Sequence, residues 1–229
     1  MIRLLDASRV QGRLDALALA KLGIRGAYLK CTQGNEPGVD PTFAANRDAL
    51  RAEGIKVGAY HFLYPLPDDP AAHPGRSPAA QADAFFRAAG LLDLPPALDV
   101  EWPAPENFPR WPGLTNVNAC EHAIATLTEI DHLFGRTPVV YTYPYWWKFA
   151  DGQAHSEFEN YPLWLADYSR FAAAVPPDGA APLAVPAPWS DWTLWQHTGG
   201  GMRLPNGDPV DFDVFNGDEA AWCIFSSGA

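Results

Sequence analysis

The chain has 229 residues, 48% hydrophobic, 19% charged and 13% aromatic, with nine Trp. That length supports one sizeable core and fits a single α/β barrel, while a formal charge of -11 argues against nucleic acid and anionic membranes, which are bound through basic side chains. No apolar run approaches the ~20 residues of a membrane span, and the opening MIRLLDAS lacks the charged-then-apolar pattern of a secretory leader, so synthesis in the cytoplasm without a signal peptide is the expectation.

Residues 2–8 read as a strand with a polar tip, and residues 14–23 as a helix stopped by Gly23. Residues 26–34 form a second strand ending in a Gly-bounded loop. Residues 40–54 combine an Asp cap, Pro41 just inside and a closing Gly54, the punctuation of a helix. Residues 56–65 are a third strand, and residues 77–90 repeat a Ser-Pro start and Gly stop. The strand at 96–102 (PALDVEW) precedes the longest helix, 115–135. Further strands are expected at 137–144, 161–168 and 192–198. Between the last two, the Ala- and Pro-rich residues 171–189 read as a long ordered loop or lid; residues 66–78 form another long loop. Gly199–Gly201 match neither G-x-G-x-x-G nor a phosphate-binding loop. Strands alternating with helices favour a parallel α/β architecture. Their number, with no nucleotide-type glycine loop, favours a barrel. One domain over 1–229 is expected, without internal repeats. Cys31, Cys120 and Cys223 are far apart and odd in number, so they read as buried thiols. No metal-ligand spacing is present and no cofactor is expected.

The polar residues gather at strand ends: Asp6 and Ser8; Lys30, Thr32 and Gln33; Tyr60, His61 and Tyr64; Asp99 and Glu101; Tyr141 and Tyr143; Trp164, Asp167 and Tyr168; Trp195, Gln196 and His197. Barrel enzymes place their chemistry at that end, where loops vary without disturbing the core. Asp99 and Glu101 are the sharpest pair. Residues i and i+2 of a strand face one side, about 6.5–7 Å apart. Repulsion and desolvation raise at least one carboxyl. A protonated acid beside an ionised one is what glycosidic cleavage uses. Two solvated acids, an ion pair with Lys30 or Arg110, and a metal site are the alternatives left open by these two residues alone.

Further motifs extend along the chain. Asp6, Ser8, Gln11, Gly12 and Asp15 stand at Asp-x-Ser-x-x-Gln-Gly-x-x-Asp spacing. KCTQG (30–34), GAYHF (58–62), QADAFF (81–86), LDVE (98–101), VVYT (139–142), PLWLADY (162–168), LWQHT (194–198) and VDFDVFNG (210–217) follow in order. In this series the chain resembles the family 25 glycoside hydrolases, the Chalaropsis-type lysozymes. The resemblance implies an irregular, flattened (β/α) barrel of eight strands partly backed by helices. It implies cleavage of the β-1,4 bond between N-acetylmuramic acid and N-acetylglucosamine in bacterial peptidoglycan.

By the same resemblance Glu101 is the proton donor and Asp99 its partner, steadying the substrate's 2-acetamido group. Asp6 and Asp211 complete an acidic quartet. Tyr60, Tyr141, Trp164 and Trp195 are candidate sugar contacts, with Lys30 and Gln196 also facing substrate; Gln196 either reaches the ligand or caps a strand. His61 is read as structural. The pattern is broken at Gln33, where the family often carries an acid, and at Ala16, where it usually has Trp. A chitinase-type enzyme is disfavoured because its motif carries an Asp two residues before Asp99, where this chain has Ala97. A non-catalytic glycan-binding barrel and a metal-dependent deacetylase are the other rivals. A monomer without a separate wall-binding module is expected, reaching the wall after release by a holin, a phage particle or a secretion machine.

Overall fold

Eight strands close into one barrel, arranged around the ring in chain order. The structure is a computed structural model and describes residues 1–34, 38–64, 77–101, 116–169, 176, 179–203, 207 and 209–227. The strands are β1 (Ile2–Ala7), β2 (Ile24–Gln33), β3 (Lys56–Phe62), β4 (Ala97–Asp99), β5 (Val139–Thr142), β6 (Leu163–Ala166), β7 (Leu194–Arg203) and β8 (Pro209–Phe215). The helices are α1 (Ala16–Lys21), α2 (Phe43–Ala52), α3 (Pro78–Ala89), α4 (Asn116–Phe134), α5 (Pro144–Phe149) and α6 (Glu219–Ser226). Backing is heaviest behind the first half of the barrel. Between β5 and β6 come the six-residue α5 and two short 3-10 turns, Gly152–Ala154 and Ser156–Asn160, and among the described residues the one helix after these is α6.

β1 to β7 pair in parallel, but β8 runs antiparallel to both β7 and β1. The expectation of a parallel architecture therefore holds for seven strands and fails at the closure. A strand that returns directly from its neighbour, without a crossover helix, must be antiparallel. β8 and the short helices α5 and α6 were not foreseen as elements. In VDFDVF two of the three inward positions are acids, which weakens the apolar alternation by which strands are recognised. β7 also extends through Gly199–Gly201 to Arg203, beyond the expected end at residue 198.

Strand alternation sorts the core into two layers. Leu4, Tyr28, Ala97, Val139, Trp164, Leu194 and Phe215 fill the barrel interior. Leu5, Leu29, Val57, Leu98, Val140, Leu165 and Val214 point outward against Leu19, Phe43, Leu50, Phe85 and Leu127 from the helices. Each fully buried side chain of this size contributes about 1.5–3 kcal/mol. Trp222 and Phe225 of α6 pack on Phe215 and cover the barrel end where β1 begins. Gly26 permits this: a Cβ there would stand 2.8 Å from the Trp222 ring and 2.9 Å from Leu4.

The helix starts follow their caps. Asp15 accepts from Ala18 N, Ser77 from Ala80 N, with Pro78 at the first position, and Asp218 from Ala221 N. Asp40 is not the cap of α2; that position is Thr42. Asp40 instead accepts from Thr42 N and Oγ1 on one oxygen and from Arg9 N on the other. It thereby closes a turn and ties the loop after β1 to the start of α2. Asn46 of α2 adds a second tie, accepting from Leu14 N and donating to Gly12 O. Cys31 and Cys120 are buried free thiols, whereas Cys223 is exposed.

Candidate active site

At the C-terminal ends of the parallel strands, Asp6, Tyr60, Asp99, Glu101, Tyr141, Trp164, Tyr168, Gln196 and Asp211 line a cavity of about 220 Å³. β8 reaches this end with its beginning, so Asp211 lies directly opposite Asp6 in the antiparallel register. β4 ends at Asp99, yet the alternation continues: Val100 donates its N–H to Tyr141 O and packs outward, and Glu101 returns to the cavity. The inference from the i, i+2 spacing is thus realised one residue pair past the regular strand.

The floor of the cavity is a connected polar network. The hydroxyls of Tyr141, at 2.9 Å, and of Tyr168 both donate to Gln196 Oε1. Gln196 Nε2 donates to Asp6 Oδ2 at 2.5 Å. Trp164 Nε1 donates to Asp213 Oδ1 at 2.7 Å. The Trp164 ring is the hub of the wall, against Tyr28 at 4.8 Å, Tyr141 at 4.9 Å and Tyr60 at 6.4 Å between centroids. Asp99 is almost wholly buried, and its Oδ1 has no hydrogen-bond partner.

This setting pushes Asp99, Glu101 and Asp6 toward the protonated form. Burial, and then the charge of Glu101, hold Asp99 well above the usual range. Burial lifts Glu101 to about 7, with Lys30 opposing and Asp211 adding. Asp6 is raised by burial and then by Asp211. Tyr60 and Tyr141 are raised by burial and the surrounding carboxylates, so both remain neutral donors. A half-buried acid near 7 is suited to proton transfer at neutral pH. Among the described residues no group of three or more His, Cys, Asp and Glu is arranged to hold a metal ion, and no helix is long and apolar enough to cross a membrane.

Comparison with known proteins agrees with this geometry. The sequence profile described as glycosyl hydrolases family 25 matches residues 5–204. The chain belongs to glycosyl hydrolase family 25. It is 29% identical to the N,O-diacetylmuramidase of Chalaropsis sp over 216 residues, 88% of this chain and 92% of that one. It is 29% identical over 220 residues to the uncharacterized protein YegX of Escherichia coli K12, covering 93% of this chain and 69% of that one. Among solved structures, the muramidase from Trichobolus zukalii superposes with a TM-score of 0.80 at 26% identity, covering all of both chains.

In this family 25 hydrolase the structure brings together Asp6, Asp99, Glu101, Asp211, Tyr60, Tyr141, Trp164 and Gln196. Trp195 is corrected. It lies fully buried in the outward layer, with its indole N–H donating to Asp167 O and its ring against Trp192. Adjacent strand residues face opposite sides, so Gln196 inside requires Trp195 outside. Lys30 does not line the cavity. It stands beside it, donating to Gln33 Oε1 at 2.5 Å and lying 4.9 Å from the Phe62 ring centroid, and acts on Asp99 and Glu101 through its charge.

His61 is structural. Thr32 Oγ1 meets its Nδ1 at 2.7 Å and Gln81 Oε1 its Nε2 at 3.1 Å. Gln81 also bonds to both the N–H and the carbonyl of Tyr64, and to His122. Two residues were missed by sequence reasoning. Tyr168 stood among the strand-end aromatics without a role, yet it lines the cavity. Asp213 sits two residues after Asp211 on the same inward face, and that spacing was the available signal. Arg110 and most of residues 66–78 lie outside the described residues. So do 171–175, 177 and 178 of the expected lid; its later part is anchored by Trp147 Nε1 on Ala187 O and by Leu183 N on Asp167 Oδ2.

Proposed function

We propose that this hydrolase is a lysozyme, an N-acetylmuramidase that cleaves the β-1,4 bond between N-acetylmuramic acid and N-acetylglucosamine in bacterial peptidoglycan. The observation that carries the reading is the convergence of Asp99, Glu101, Asp6 and Asp211 with Trp164, Tyr141 and Tyr60 in one cavity, in a chain whose relatives include named muramidases. The aromatic wall supplies apolar faces for sugar rings. The acids supply the chemistry.

Glu101, raised to about 7, donates its proton to the glycosidic oxygen as the C1–O bond breaks. The carbonyl oxygen of the substrate's own 2-acetamido group attacks C1 and forms an oxazolinium ring. Asp99 accepts the acetamide N–H. Its buried, unpartnered Oδ1 represents an unmet acceptor that this N–H would satisfy, and that bond favours the ionised form of Asp99 and leaves the proton on Glu101. Water then adds to C1, Glu101 takes back a proton, and the ring opens. Substrate-assisted hydrolysis of this kind departs from the scheme with two enzyme carboxylates. Asp6 and Asp211 hold the field in which Glu101 keeps its proton.

The test is a digest of purified peptidoglycan by wild type and Glu101→Gln, with fragments reduced by borohydride and identified by mass spectrometry. Muramidase action leaves reduced muramic acid at the new ends, and the variant releases none. Binding without release by the wild type would make the barrel a glycan-binding module. New ends carrying reduced glucosamine would assign a different glycosidase.

A further inference from the structure

Beneath the acids already described lies one more, which that mechanism leaves unused. Asp213 is 2% exposed. It stands opposite Gln196 on β7 and Leu4 on β1, on the same inward face as Asp211. Its Oδ1 accepts the Trp164 indole N–H at 2.7 Å, while its Oδ2 is buried without a donor. We propose that Asp213 is a positioning residue of the reaction: a neutral carboxylic acid that donates its own proton to Asp6 and, through its other oxygen, fixes the Trp164 indole in the cavity wall. The proposal rests on the muramidase reading for the word reaction, but not for the place of the proton.

The argument is one of accounting for donors. A buried carboxylate needs several donors or a cation, and without them its burial is strongly unfavourable. Asp213 has one donor. The titratable groups facing the same floor are Asp6 on β1, Tyr28 on β2, Tyr60 on β3, Asp99 and Glu101 at β4, Tyr141 on β5, Tyr168 after β6 and Asp211 on β8, with Lys30 of β2 beside the cavity; β7 offers the neutral Gln196. Lys30 acts on Asp99 and Glu101, and the cation acting on Tyr28 is Arg136. The carboxyl of Asp213 is driven up by burial first and by the charge of Asp6 next. Asp6 is in side-chain hydrogen-bond contact with it and already accepts from Gln196 on Oδ2. A proton on Asp213 therefore has an acceptor ready. The Asp6–Asp213 pair then carries one negative charge, held behind the catalytic acids by two fixed donors.

Infrared spectroscopy at neutral pH, in a Glu101→Gln background that removes one of the other raised side-chain acids of the cavity and keeps Asp99 and Asp6 the same in both proteins compared, reads the proton as a difference. Asp213→Asn is expected to abolish one protonated-carboxyl C=O band. Kinetics on peptidoglycan read the positioning. Asp213→Leu removes the acceptor of Trp164 and the donor to Asp6, and is expected to lower kcat/KM about tenfold or more. Asp213→Asn keeps an acceptor for Trp164 and an N–H for Asp6, so it is expected to recover most of that loss. With Glu101 present, it should also leave the alkaline limb of kcat/KM at the wild-type pH. If Asp213 were an anion, the Asn variant would lose no such band, and removal of a charge would move that limb down by about half a pH unit or more; either result overturns the proposal. Equal losses in the Asn and Leu variants would overturn the positioning role. A wild type that shows the band but releases no muropeptides would defeat the muramidase reading and the positioning role together, leaving only the proton assignment.

Discussion

Replacing Glu101 by Gln should remove hydrolysis and, in the same stroke, make the protein more stable at neutral pH. The folded chain lifts this carboxyl from 4.5 to about 7. At about 1.4 kcal/mol per unit, that is on the order of 3 kcal/mol against the ionised form. Glu101 is half-buried, so solvent screening reduces the expectation to about 2 kcal/mol. The sign follows from linkage. A raised acid binds its proton in the folded state while the unfolded chain has released it. Its contribution is fully present below pH 4.5 and is lost as pH rises through 7. The Gln variant lacks that loss, and it also relieves Asp99, which the charge of Glu101 helps to raise. Urea unfolding of both proteins at pH 4.5, 5.5, 6.5 and 7.5 measures the effect. The two midpoints should separate progressively with pH, with the variant ahead by about 1 M at the top of the range. A separation independent of pH would refute the assignment of a raised carboxyl to Glu101. Retention of more than about a hundredth of wild-type kcat would refute its role as proton donor.

Other substitutions probe the remaining parts. Asp99→Asn should lower kcat on the order of a hundredfold in muropeptide release, with binding to insoluble peptidoglycan retained; near-normal turnover would end the acetamide mechanism. Gly199→Ala should impair activity without unfolding the barrel, because its Cβ would stand 2.8 Å from the Tyr168 ring and push that side chain off the cavity; circular dichroism and a digest, run together, check both halves. His61, His122 and His197 are each driven by burial to about 4. Their imidazole NMR signals should stay those of the neutral ring down to about pH 4.5, and a midpoint near 6.5 for any of them would contradict its packing. Each contributes stability above pH 6.5 that is lost as pH falls toward 4, at most about 3 kcal/mol per ring.

The acidic pair was legible in the sequence because two polar residues at period two, in otherwise apolar company, leave few places for a strand to send them. Asp6 stood out as a polar strand end, but Asp211 and its partnership with Asp6 were legible only through the family pattern, since the register that sets them opposite one another spans nearly the whole chain. Trp195 was misassigned for a local reason. In LWQHT both parities carry large side chains, and pairing with β6 and β8 alone decides which faces the cavity. Asp213 stayed hidden because a strand with acids on its inward face does not look like a strand. Lys30 was found as a residue near the site but not as an influence exerted from beside it, because Phe62, over whose ring it lies, meets it only after β2 and β3 have paired.

The reversed direction of β8 settles where attachments can be made. β1 begins and β8 finishes at the same rim, with Ile2 and Phe215 as register partners, and α6 folds across that rim through Trp222. Both points at which the chain enters and leaves the barrel thus face away from the cavity. A linker, a purification tag or a surface tether joined beside either point emerges on the blind side of the enzyme, leaving the approach of a long glycan strand unobstructed. The closeness of those two points also makes the barrel suited to circular permutation, with the new ends cut into a loop away from the acids.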